Sequence, residues 1–171
     1  HEYSLRFEIL SRFLFAKDAK IGSGGCGYDE HLGLQAISQC LDPLLAAYRD
    51  ARARGEVVET EVEIQALVIL LLLATSPDLL PSHLAAMDRE LLRSPRILGA
   101  VDACAHFLGD DYAGFLRYVA EASHLELCIL ADLADLARRR LLWLRARAYP
   151  KAVGDRWQLK PLAKLLSCDH L

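Results

Sequence analysis

The chain has 171 residues, 53% hydrophobic and 25% charged, which is enough apolar side chain for one sizeable core and excludes the disordered class. Its formal net charge of −3 excludes a globally basic nucleic-acid coat and confines any nucleic-acid contact to a local patch. The longest uncharged apolar run, Ala66 to Ala74, is far shorter than the ~20 residues that a membrane-spanning helix needs.

In chain order, Tyr3 to Ala16 places Leu5, Ile9, Phe13 and Leu14 at helical spacing, and the Gly-rich stretch of about residues 21–28 breaks it. That stretch lacks the Gly-Lys-Ser/Thr ending of a phosphate-binding loop and reads as a flexible connection. Helical period resumes from Leu32 to Tyr48, with Pro43 as either a kink or, behind Asp42, a fresh start, and with Gly55 as the C-terminal cap. Thr60 and Glu63 have capping-box spacing, so a helix is expected from there to the Ser76-Pro77 stop. It is apolar nearly all round, which assigns it to the middle of a layered protein. Ser82, Ser94-Pro95 and Asp110-Asp111 are further start signals, and Ser123 with Glu126 forms a second capping box. The helix from about His124 to Tyr149 ends at Pro150. Beyond it Trp157 to Leu159 reads as a short strand and Lys160-Pro161 as the start of a last helix.

A succession of short helices without a strict repeat is expected to form an all-α, α-solenoid-like stack. Residues 1–150 read as its helical-repeat part and residues 151–171 as a separate element. With His1 rather than methionine at its head and no basic-then-apolar leader, the chain is expected to be a piece of a longer one. Five cysteines (Cys26, Cys40, Cys104, Cys128 and Cys168) are odd in number and show no CxxC. They are expected to be reduced thiols of the nucleus or cytosol.

Catalytic chemistry finds no footing. His124 and Cys128 are half of a possible zinc site without a second half, and Cys168 and His170 do not complete it. The pair Asp110-Asp111 reads as a helix cap, and no serine or cysteine has a nucleophile signature. The expectation is no catalytic residue, no metal and no cofactor. Between Arg138 and Lys151, by contrast, six basic residues occur with no acid. At ~100° per residue, Leu130, Ala137, Leu141, Leu144 and Ala148 form an apolar stripe. Arg138 and Arg145 line one edge of it, and Arg140, Arg147 and Lys151 the other. Those rims are either a solvated border or a phosphate-tracking patch. Arg138, Arg140, Arg145, Arg147 and Lys151 are the candidate nucleic-acid-binding residues.

Order and spacing of several short motifs resemble the central region of the GANP (yeast Sac) family of messenger-RNA export scaffolds. They are Arg6-Phe7-x-Ile9-Leu10; Cys40-Leu41-x-x-Leu44-x-x-x-Tyr48-x-Asp50-x-Arg52-x-x-Gly55; Glu61-x-Glu63-Ile64-Gln65-Ala66; Tyr112-x-x-Phe115-x-Arg117-x-Val119; Ser123-x-Leu125-x-x-Cys128; and Arg147-Ala148-Tyr149. The family usually has aromatics where Ile64 and Leu67 stand. The resemblance implies a PCI-like helical repeat ending in a winged helix, whose start would occupy residues 151–171. It also implies pairing with a second PCI-domain subunit and a small acidic Sem/Dss-type protein, and binding of RNA or single-stranded DNA. It implies no enzyme and no membrane, and a nuclear location that includes the nuclear pore. The alternative is a PCI-like scaffold of another assembly, centrosomal, proteasome-lid, signalosome or translation-initiation in type, with a cytoplasmic location.

Overall fold

The computed structural model describes residues 1–20 and 29–148 together with Ala163 and Leu166, and every regular element among them is helical. In order these are α1 (Glu2–Lys20), α2 (Glu30–Ala53), α3 (Glu61–Thr75), a 3-10 turn (Pro77–Leu79), α4 (Leu80–Ala86), α5 (Arg89–Leu92), α6 (Pro95–Leu108), α7 (Tyr112–Glu121) and α8 (His124–Ala148). They form two compact units, His1–Gln65 and Ala66–Leu171, with the boundary inside α3. The expected loop over 21–28, the strand at Trp157 to Leu159, and the winged-helix start over 151–171 lie outside the described residues, Ala163 and Leu166 excepted.

In the first unit α1 packs along α2. Leu5 and Ile9 of α1 and Ile37, Leu41, Leu44, Tyr48 and Ala51 of α2 are buried, the three-and-four spacing that places one helix face inward. The side chain of Asp29 caps α2 by accepting the His31 N–H at 2.9 Å. At the other end Gly55 takes φ of +77°. Its N–H reaches the Arg52 carbonyl at 2.9 Å and the Glu56 N–H reaches Ala51 at 3.0 Å, which together make a Schellman closure. Pro43 starts no new helix, because α2 runs unbroken through it. Pro43 and Gln39, whose carbonyl loses its helical donor to the proline, are both exposed.

Polar side chains also tie this unit together. Tyr48 donates its hydroxyl to Glu2 Oε1 at 2.6 Å, and the Thr60 hydroxyl donates to the same oxygen at 2.6 Å. Arg52 pairs with Glu61, whose side chain is almost wholly buried, and Arg6 with Glu63 at 2.9 Å. The residues that mark the start of α3 in the sequence thus also fasten it to α1 and α2.

In the second unit α6 packs on α7 and α7 on α8. Ile69 and Leu70 of α3, Ile97, Ala100 and Ala103 of α6, Phe115 and Leu116 of α7, and Leu130 and Ala137 of α8 are wholly buried. From Ile64 to Leu71 every residue of α3 is buried, as its lack of a polar face requires. Ser94 precedes α6 with Pro95 in its first turn. Ser82, expected as a helix start, instead lies inside α4. Its hydroxyl donates to the Leu79 carbonyl at 2.8 Å, because the 3-10 turn at Pro77 already begins the coil. Asp88 is the start signal that local spacing did not single out: it caps α5 by accepting the Glu90 N–H at 2.9 Å.

The α6–α7 turn is tight. Asp110 adopts φ of 60°, a left-handed conformation that a short polar side chain tolerates. Asp111 caps α7, accepting the Gly114 N–H at 3.0 Å while its other oxygen meets His106 Nδ1 at 2.8 Å. Phe107 sits edge-on to Tyr112 and Phe115, with centroids 5.9 and 4.9 Å away. The Asp110-Asp111 pair is therefore turn and cap.

Candidate nucleic-acid interface

Helix α8 is polarised along its length. Its acids, Glu126, Asp132 and Asp135, lie in the first half, and from Arg138 to Ala148 there are five arginines and no acid. Cations near a helix C-terminus are favoured by the backbone dipole. The start is anchored by the second capping box: Glu126 accepts the Ser123 N–H at 2.7 Å and lies 3.5 Å from Arg96. Glu126 is buried. It faces Tyr118, whose hydroxyl proton is held more tightly than usual by burial and by that carboxylate.

Ile129, Leu130, Ala134 and Ala137 bury the front of α8. The expected docking stripe does not continue: Leu141 is half-buried, and every residue from Trp143 to Ala148 is exposed, Leu144 and Ala148 included. Length explains this. The neighbouring α7 has 10 residues and α8 has 25, or about 15 and 38 Å at 1.5 Å per residue. The basic half of α8 therefore overhangs the helix on which it packs.

The structure splits the candidate arginines. Arg138 Nη1 pairs with Asp135 at 2.9 Å, and its Nε donates to the Leu166 carbonyl at 3.0 Å. This side chain is already committed within the protein. Arg145 lies on the same side, ~200° around the helix from Trp143. Arg140 and Arg147 instead share the face of Trp143, within ~60° of it, and Lys151 lies outside the described residues. The guanidinium of Arg147 stands 5.3 Å from the centre of the Trp143 ring, within cation–π range. Arg140 lies close enough to Tyr112 for its charge to oppose the rise in that tyrosine's pKa caused by the Asp110 hydrogen bond. Arg139 completes this face, with its Nε donating to the Asp135 carbonyl at 3.2 Å.

Two members of this face, Arg139 and Trp143, escape a reading that follows the apolar stripe. Their signal was present nonetheless, since Trp143 has arginines three and four residues before it and four after it. Trp143 is 52% and Leu136 40% exposed on the same side.

Elsewhere the described residues contain no group of three or more His, Cys, Asp or Glu placed to hold a metal. His124 is exposed and Cys128 half-buried. The Cys104 thiol is pushed up to about 12 by burial, which keeps it from acting as a nucleophile at neutral pH. No helix among the described residues is long and apolar enough to cross a membrane.

The sequence model of the SAC3/GANP family matches residues 1–171. The chain belongs to the SAC3/GANP family. It is 25% identical over 135 residues to SAC3 family protein B of Arabidopsis thaliana, an alignment that covers 75% of this chain and 8% of that relative. No solved structure matches the chain. Several of the residues that carry the resemblance to SAC3/GANP lie at joints between helices. Tyr48, Arg52, Glu61 and Glu63 fasten α1, α2 and α3, Tyr112 and Phe115 lie in the aromatic turn, and Ser123 opens α8.

Proposed function

We propose that this chain is the helical scaffold region of a messenger-RNA export factor. In this reading it pairs with a second PCI-domain subunit and a small acidic Sem/Dss-type protein in the nucleus, including the nuclear pore. It contacts RNA or single-stranded DNA through the overhanging basic end of α8. The observation that carries the reading is the family match over residues 1–171, in a family of scaffolds rather than enzymes. Physical support comes from the helices themselves, several of whose charged side chains lock one helix to another, Arg6 with Glu63, Arg52 with Glu61 and Arg96 with Glu126. The basic end of α8 adds an exposed cationic face in a chain of net charge −3.

The test is the distribution of polyadenylated RNA in cells depleted of the protein. Nuclear accumulation, reversed by the wild-type protein, is expected. Undisturbed export after complete depletion overturns the reading.

A further inference from the structure

We propose that Trp143, backed by Arg147, is a base-stacking platform for single-stranded RNA on the exposed face of α8. The proposal rests on the nucleic-acid contact just described and names the residue that would grip a base there. Three observations carry it.

The ring is 52% exposed in the half of α8 that overhangs its neighbour, so a planar ligand can reach it without opening the core. The guanidinium of Arg147, 5.3 Å from the ring centre, lies one turn further along. A base stacking on this pair gains from the ring and from the charge together. Arg140 and Arg139, both exposed, lie one turn before the ring.

Cation, aromatic face and cation therefore follow one another along the helix, the alternation that suits phosphate, base and phosphate in a single strand. Of the acids of α8, Asp135, ~80° around the helix from Trp143, is paired with Arg138 at 2.9 Å, and Asp132 stands three turns before the ring. A double helix hides its base faces, so the arrangement selects unpaired nucleic acid. The bases give it little sequence preference, because every base has a π-face.

The experiment measures binding of the full chain, in the assembly with which it purifies, to a fluorescent oligouridylate and to a duplex RNA at low and rising salt. Trp143→Ala is expected to weaken single-strand binding about tenfold and to leave the log–log salt slope unchanged, since no charge is removed. Trp143→Tyr keeps an aromatic face and restores most of the affinity, and circular dichroism checks that both variants keep their helices. Arg140→Glu with Arg147→Glu lowers affinity and makes the slope shallower. If the charge reversals weaken binding while Trp143→Ala binds like wild type, the phosphate contact stands and the stacking platform fails. No binding by the wild-type assembly even at low salt removes both. If Trp143→Ala releases a co-purifying protein while RNA affinity holds, the ring is a protein contact and the proposal is overturned.

Discussion

Tyr48 and Glu2 share a hydrogen bond of 2.6 Å that joins the second helix to the first residue of the first. Thr60 adds a second bond to the same carboxylate oxygen, so one acidic group holds three segments. Its pKa is lowered chiefly by the Thr60 hydroxyl and next by Tyr48. Burial, and then the Glu2 carboxylate, push Tyr48 up from its ordinary 10 to about 12.

These shifts fix the pH dependence of stability. The unfolded chain releases the Tyr48 proton near pH 10 and the folded chain near 12, so this contribution is whole below pH 10 and is lost as pH rises through 12. For Glu2 the folded carboxyl is the stronger acid. Its contribution is whole above the ordinary value of 4.5 and is lost as pH falls below the folded value. Urea midpoints measured across pH should show both flanks. Tyr48→Phe should cost about 1 kcal/mol at neutral pH and reduce the alkaline loss, with Tyr118 and Cys104 supplying a remainder. An unchanged alkaline flank would separate Tyr48 from Glu2.

The buried third helix gives a second expectation. Leu70 is wholly buried in a segment without a polar face, and Leu70→Ala should destabilise by about 2–5 kcal/mol. Equilibrium unfolding of both proteins checks it, and a loss below about 0.5 kcal/mol would place the helix at a surface.

Two glycines should respond for different reasons. A Cβ on Gly114 would stand 2.5 Å from both His106 Nδ1 and Asp111 Oδ2, so Gly114→Ala must displace the pair that caps α7, at a cost of about 1–3 kcal/mol. At Gly55 the same change meets no atom. Its cost, about 1 kcal/mol, comes only from the left-handed backbone. Thermal denaturation ranks the two, and crystallography of Gly55→Ala should find its neighbours unmoved.

Gln65 presents the opposite case. It is buried, and its Oε1 has no hydrogen-bond partner among the described residues. A buried unsatisfied carbonyl oxygen costs about 1–3 kcal/mol, so Gln65→Leu should be neutral or stabilising. A marked loss of stability in urea would show that the amide holds something the fold needs.

Much of this was legible in the sequence where the cause is local. Gly55, Asp111, Ser123 with Glu126, and the all-apolar run of α3 each state their role within one or two turns. Thr60 and Glu63 announce a helix start, yet their partners Glu2 and Arg6 lie 58 and 57 residues away. No local pattern shows a pairing at that distance. The basic face was half legible. Periodicity grouped Arg140 with Arg147 correctly, but it could not show that α7 ends before Leu144 and Ala148 have anything to pack against. Trp143 points outward by its place on the helix, about 120° from the buried Ala137.

Affinity purification of the full chain under native conditions, with the bound subunits identified by mass spectrometry, tests the scaffold reading most directly. A second PCI-domain subunit and a small acidic Sem/Dss-type protein, recovered in comparable amounts with the chain, are expected. Recovery instead with subunits of a proteasome-lid, signalosome or translation-initiation assembly, and without that pair, would contradict it.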